Sequence, residues 1–110
     1  MIDQKTLDKI ELEALKRNIP VMQKEGLDFM ISLLNEEKAM TLLEIGSAIG
    51  YSAMRLVTNV EQLTVETIEL DDERFLEARK NIDQYGLRDR IYLHHDNALP
   101  FDESQLVLKN

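Results

Sequence analysis

The chain has no cysteine and no tryptophan, two prolines, four glycines, and three each of tyrosine and phenylalanine in 110 residues. Without cysteine there is no disulfide, no thiolate metal site and no cysteine nucleophile, which fits a reducing compartment. Scarce Pro and Gly, with 44% hydrophobic and 31% charged residues, give no sign of disordered or repeat segments. No apolar run approaches membrane-spanning length. The opening MIDQKTLDKIELEALK lacks the apolar core of a signal peptide, so a cytoplasmic protein with no membrane partner is expected. Positive charge is also short: 13 Lys and Arg face 21 Asp and Glu, for a formal net charge of −8. Such a chain does not attract nucleic acid as a whole, although a local basic patch remains compatible with it. At this length the chain holds one domain at most, burying about two-thirds of its unfolded surface.

Periodicity orders the chain. Residues 6–18 are rich in Leu, Glu and Lys, with Leu7, Ile10 and Ala14 on one side, and predict a helix that Pro20 ends. Residues 23–37 predict a second helix, with Leu27, Met30, Ile31 and Leu34 at helical spacing. The apolar run 41–45 is too short for a helix and reads as a buried parallel strand. Residues 50–59 look helical, 63–69 are rich in β-formers, and 71–85 give the clearest helix. In that helix Asp71, Asp72 and Glu73 suit the start, and Phe75, Ala78, Ile82 and Tyr85 share a face. Gly86 suits a left-handed end, with Leu87 folding back on Ile82. Residues 91–95 make a third strand. Alternating strands and helices predict a parallel sheet with right-handed crossovers, helices on both faces and a Rossmann-like α/β fold.

In this setting LLEIGSAIGYSAM, residues 42–54, is a strand, a glycine turn and a helix start. Ligands of such folds bind at the carboxyl ends of the strands, where the helix near Gly50 aims its N–H groups. Gly46 permits a tight turn, and Gly50 permits close approach of backbone to ligand or of helix to strand. A dinucleotide fingerprint would need glycine at position 48, where Ala48 stands. Glu44 would repel a pyrophosphate and suits a positively charged ligand. Glu69 ends the second strand, where an acid can accept ribose hydroxyls. The third strand ends at Asp96-Asn97-Ala98, a polar turn able to read a heterocycle edge. A cation contact, a ribose contact and a base-edge contact on successive strand ends describe S-adenosylmethionine. Plainer roles exist beside these. Glu44 could cap the loop amides, Glu69 could be solvated, Asp71 and Asp72 suit helix caps, Tyr51 could pack the first helix turn, and Met22 and Met30 suit a core. His94 and His95 are adjacent on a strand, point to opposite faces, and are poorly placed to share a metal ion.

The segments LLEIGSAIGYSA, TIELDDERFLEARKNI and RNIPVMQKEGLDFM together resemble the class I O-methyltransferases related to catechol and caffeoyl-CoA methyltransferases. Within that class the resemblance runs to the bacterial branch that includes tRNA 5-hydroxyuridine methyltransferase, over residues 10–100. It implies methyl transfer from S-adenosylmethionine to a hydroxyl oxygen, of a tRNA or of a small catechol-like acceptor. Glu44, Gly46 and Ser47 would lie along the methionine part of the cofactor, with Gly50, Tyr51 and Ser52 at the helix start nearby. Glu69 would hold the ribose and Leu70 would lie against the adenine. Asn97 and Ala98 would meet the adenine edge, and Val21 and Met22 would cover the methyl group.

The resemblance also implies what is not seen. The family's fourth strand carries an acid for a divalent metal that activates the acceptor. Nothing after Ala98 matches it, so no metal ligand and no catalytic residue is assigned. The expected organisation is a single domain resembling the N-terminal half of a methyltransferase: a helical segment at 1–38, a cofactor-binding unit at 41–98 and a tail at 99–110. The family's strand order would then leave strand 41–45 as an apolar edge, and self-association into a homo-oligomer is expected. The alternative is a catalytically silent remnant that binds cofactor or associates with itself.

Overall fold

The computed structural model describes residues 2–95. Seven elements follow in order: α1 (Gln4–Lys16), α2 (Lys24–Glu36), β1 (Thr41–Ile45), α3 (Tyr51–Asn59), β2 (Thr64–Glu69), α4 (Asp72–Gln84) and β3 (Ile91–His95). Each expected element is present: β1 and β3 at the expected bounds, α1 shifted two residues toward the N-terminus, and the others shorter by one or two residues. α4 starts one residue later than expected because Asp71 stands outside it as a cap, and α1 starts two residues earlier because Asp3 caps it. Asp3 accepts from the Thr6 N–H at 2.8 Å and Asp71 from the Arg74 N–H at 2.9 Å.

The strands form one parallel sheet in the order β1-β2-β3. Glu44 is level with Thr67, and Glu69 with His95. Side chains alternate between faces along a strand, so Leu42, Glu44, Val65, Thr67, Glu69, Ile91, Leu93 and His95 share one face. The apolar members of that face meet the helices in a single core cluster with Leu7, Leu27, Leu34, Met54, Val57, Ile82 and Leu87. The helix faces expected from spacing are the ones buried, with Met30, Ile31, Ile10 and Tyr85 packed at the margin.

The opposite face differs from expectation. It carries Thr41, Leu43, Ile45, Thr64, Glu66, Ile68, Tyr92 and His94. Ile45 is 55% exposed and Tyr92 48%, and only Ile68, flanked by Ile45 and His94 in register, is buried. Helices on both faces are therefore not found among the described residues. Both crossovers, β1-α3-β2 and β2-α4-β3, step the same way across the sheet, and right-handed crossovers of one direction place their helices on one side.

Three helices end in the same way. Asn18, Lys38 and Gly86 take left-handed φ of 57°, 54° and 68°. The next residue sends its N–H back to the third-last helical carbonyl: Ile19 to Ala14, Ala39 to Leu34 and Leu87 to Ile82, at 2.9, 2.9 and 3.0 Å. Ile19, Ala39 and Leu87 are all buried. These are Schellman ends, which satisfy the last carbonyls and drop an apolar side chain onto the core.

Arg55 and Arg90 complete the frame. The Arg55 guanidinium, buried between α1 and α3, donates to the Tyr51 hydroxyl, Gln4 Oε1 and Asp8 Oδ1 at 2.7, 3.0 and 2.7 Å. Arg90 donates to the carbonyls of Leu63, Val57 and Val60 at 2.9–3.0 Å, closing the end of α3.

Candidate functional site

The turn between β1 and α3 is fixed from several sides. The Ile68 carbonyl accepts from the N–H groups of both Gly46 and Ser47, at 2.8 and 3.1 Å. Asn81 on α4 donates to the Ile49 carbonyl at 2.8 Å. Gly46, Ala48 and Gly50 have φ of 89°, 51° and 84°. The two glycines differ in what surrounds them. A Cβ on Gly46 would meet nothing within 4 Å, whereas one on Gly50 would lie 3.6 Å from Ala78 Cα and Cβ. Gly46 therefore leaves bare backbone beside open space at the strand ends. Gly50 brings the turn against α4 instead, and its N–H and C=O are engaged by Ser47 O and Met54 N at 2.8 and 3.0 Å. The helix-to-strand approach expected for Gly50 is instead an approach to a neighbouring helix.

Glu44 and Glu69 stand on the same sheet face and flank this turn. Glu44 Oε2 accepts from the Ser52 hydroxyl at 2.5 Å and Oε1 from the Thr67 hydroxyl at 2.6 Å. Ser47 Oγ lies 2.6 Å from Thr67 Oγ1. Thr67 has one proton and gives it to Glu44, so it accepts from Ser47. Burial pushes the Glu44 carboxyl above its ordinary range; the Ser52 and Thr67 hydroxyls pull it down, and the nearby Glu69 charge pushes it up.

Glu69, 8% exposed, does what Glu44 could have done. Its Oε1 accepts from the Ala48 N–H at 2.6 Å and its Oε2 from the Asp71 N–H at 3.0 Å. Glu69, not Glu44, caps the loop amides, and it is not a solvated acid. The left-handed turn at Ala48 aims that N–H at Glu69. Position 48 thus has the backbone a glycine would adopt, held by alanine.

The other expected residues are distributed unevenly. Ser47 is buried and Ser52 half-buried, both in the network around Glu44. Leu70 is 67% exposed just beyond β2. Val21 packs at the margin of the core, and Met22 is exposed with its side chain against Gly26. Tyr51 turns inward to Arg55 and packs the core rather than the turn. Asn97 and Ala98 lie outside the described residues. Thr67 gave no signal in the sequence, and His95 stood out there only as a poorly placed metal ligand. Thr67 became visible only when the register set it between Glu44 and Ser47. His95 stacks on Phe75 with ring centroids 4.4 Å apart. Its Nε2 is 2.8 Å from Asp72 Oδ1 in an alignment that makes no hydrogen bond, so this buried nitrogen has no partner among the described residues. His94 pairs with Glu66 at 2.9 Å on the other face. The described residues hold no group of three or more acids or histidines suited to a metal ion, and none of their helices is long and apolar enough to cross a membrane.

The class follows from the fold: this is a Rossmann-like, S-adenosylmethionine-dependent methyltransferase fold. More narrowly, it is the O-methyltransferase form of that fold seen in caffeoyl-CoA methyltransferases, of which the chain carries about half. A Staphylococcus aureus protein of the caffeoyl-CoA O-methyltransferase type superposes with a TM-score of 0.81 at 26% identity, over 86% of this chain and 46% of that one. An O-methyltransferase from Bacillus cereus in complex with S-adenosylhomocysteine gives 0.72 at 26%, over 89% and 46%. In sequence, the chain is 32% identical over 84 residues to the ribosomal RNA small subunit methyltransferase A of Vibrio parahaemolyticus, covering 76% of this chain and 29% of the relative. No protein-family model matches the chain.

Proposed function

We propose that this chain binds S-adenosylmethionine and serves methyl transfer to a hydroxyl oxygen. The observation that carries the proposal is the pair of strand-end carboxylates on one face, flanking the open backbone at Gly46. The residues fit the cofactor. Gly46 gives a cradle that a side chain would fill. Glu69 is already ordered by two amides, and a carboxylate has about four acceptor sites, so capacity remains for ribose hydroxyls. Glu44 sets negative charge beneath the turn, where the cofactor's ammonium and sulfonium would lie with Ser47 and Ser52 beside them. Leu70 offers apolar surface for adenine, Asn97 and Ala98 its edge contacts, and Val21 and Met22 a cover over the methyl group. When bound, S-adenosylmethionine supplies a methyl group activated on sulfur. The chain's own part is to hold it in line with an acceptor and to exclude water.

The acceptor follows from the resemblance alone: a 5-hydroxyuridine in tRNA or a small catechol-like molecule. The Vibrio relative bears the name of a ribosomal RNA methyltransferase, and the S. aureus structure is of the caffeoyl-CoA type; neither name is that of a tRNA methyltransferase. The chain spans about half the length of the solved structures it matches. A second reading, favoured by the unpaired outer edge of β1 among the described residues, is a cofactor-binding module without catalysis of its own that associates with itself or a partner.

Calorimetric titration tests the cofactor site. Wild-type protein should bind S-adenosylhomocysteine, and its 2′,3′-dideoxy analogue about tenfold more weakly or worse, the value of a hydrogen bond to a charged group. In Glu69→Gln the gap between the two ligands should shrink, and Glu69→Ala should abolish binding. An unchanged gap in Glu69→Gln would remove Glu69 from the ribose. No binding of either ligand to the wild type, with NAD bound instead, would overturn the proposal.

A further inference from the structure

At the outer edge of the sheet, α4 and β3 enclose a groove of about 190 Å³ lined by Arg79, Ile82, Arg88, Ile91, Tyr92, Leu93 and His94. Acids outnumber bases 21 to 13 in the chain, yet among the described residues this lining holds two arginines, a histidine and no carboxylate. Asp83 and Glu66 hold two of these bases from outside the lining: Asp83 lies 3.2 Å from Arg88, and Glu66 pairs with His94. Arg79 makes no ion pair among the described residues, and its guanidinium lies over the Phe75 ring at 5.5 Å. The floor is the edge of β3 that has no neighbouring strand among the described residues. Val65 N–H bonds to Arg90 O, so Arg90, Tyr92 and His94 turn their backbone groups to β2. Leu93, between them, turns its N–H outward into the groove. Tyr92 stands half exposed at the rim, its hydroxyl donating to Asp89 O at 3.3 Å.

We infer that this groove binds the phosphodiester backbone of a single-stranded polynucleotide, with a base stacked on Tyr92. Guanidinium forks match phosphate oxygens in a way a point charge does not. An aromatic beside two arginines is the pairing that holds a base next to its phosphate. An acidic peptide would use the arginines but has no need of the exposed ring. A duplex is disfavoured because the chain's net charge of −8 repels a broad polyanion, whereas a single strand touches only the groove. The groove is separate from the turn at Gly46, so its occupancy is measured without cofactor and its failure leaves the cofactor proposal standing.

The experiment is fluorescence anisotropy of a labelled ten-nucleotide oligouridylate with the full chain across a salt series. Saturable binding should weaken as salt rises. Arg79→Gln/Arg88→Gln should lower affinity at least tenfold in low salt. The slope of log affinity against log salt should become shallower by about 1.4, the value for two phosphate contacts on a single strand. An unchanged thermal melt by circular dichroism guards against misfolding. Tyr92→Ser should weaken the oligonucleotide but not inorganic polyphosphate. The inference is overturned by no saturable binding in the wild type, or by an equal loss in the charge-matched control Lys5→Gln/Lys9→Gln. Polyphosphate binding as tight as the oligonucleotide would point to free phosphate instead, and equal binding of oligoaspartate to an acidic protein; either result overturns it.

Discussion

Glu44 is a side chain whose buried charge works against the fold. Its carboxyl is held above the ordinary value of 4.5 chiefly by burial, so the folded chain binds this proton more tightly than the unfolded chain. The stability Glu44 contributes is therefore full below about pH 4.5 and is lost as pH rises through the elevated folded value. Glu44→Gln keeps an acceptor oxygen for Thr67, turns an NH2 donor to the Ser52 hydroxyl, which can rotate to accept, and removes the buried charge. It should raise the melting temperature at pH 7 by a few degrees and leave it nearly unchanged at pH 4, as read by calorimetry. The same substitution should weaken S-adenosylmethionine binding by roughly tenfold, the order of one partly buried charge pair. S-Adenosylhomocysteine, lacking the sulfonium charge, should suffer less. In the wild type, affinity for S-adenosylmethionine should rise with pH as Glu44 ionises. A loss of stability in Glu44→Gln at pH 7 would show that the hydroxyl network, not the charge, dominates there.

At the scale of elements, the helix ends explain why the connections can be short. Each Schellman end reverses the chain within two residues and seats Ile19, Ala39 or Leu87 on the core. Only the third uses glycine. A left-handed backbone costs other residues about 1–2 kcal/mol, with asparagine the mildest case, and glycine's unfolded-state freedom offsets part of that. Lys38→Gly should thus stabilise the fold by roughly 0.5–1 kcal/mol, and Gly86→Ala should destabilise it by about 1 kcal/mol. Urea unfolding with an unchanged slope would measure both. A Lys38→Gly variant less stable than wild type would mean that the α2 end is set by side-chain contacts of Lys38 rather than by its backbone.

The whole molecule is a sheet with one clothed face and one bare one. Along the bare face Ile45, Leu43 and Tyr92 alternate with Glu66 and His94, and β1 has no neighbour on its outer side among the described residues. An unpaired apolar edge is a template for another strand. Two copies joined β1 to β1 would extend the sheet and close on themselves by twofold symmetry. Light scattering should show mass rising with concentration for the wild type, and Ile45→Lys should reduce it, since an edge lysine blocks strand addition. A constant monomer mass at millimolar concentration would rule out association through this edge.

Local chemistry was enough for the elements. Spacing of apolar residues, Asp caps, Gly86 and the glycine turn each act within a few residues, so the order α-α-β-α-β-α-β and the paired acids of the turn could be read without coordinates. What sequence could not assign was the division of labour between those acids. Glu44 and Glu69 are 25 residues apart; only the register that sets Thr67 between Glu44 and Ser47 makes one the partner of hydroxyls and the other the cap of amides. Gly50 was legible as a required glycine, but its reason, Ala78 on α4, is a contact across the fold. The bare face and the basic groove are of the same kind: they arise from two crossovers stepping in one direction and from an edge strand meeting α4. Backbone preference travels along the chain, whereas faces, edges and pockets exist only once distant segments have packed.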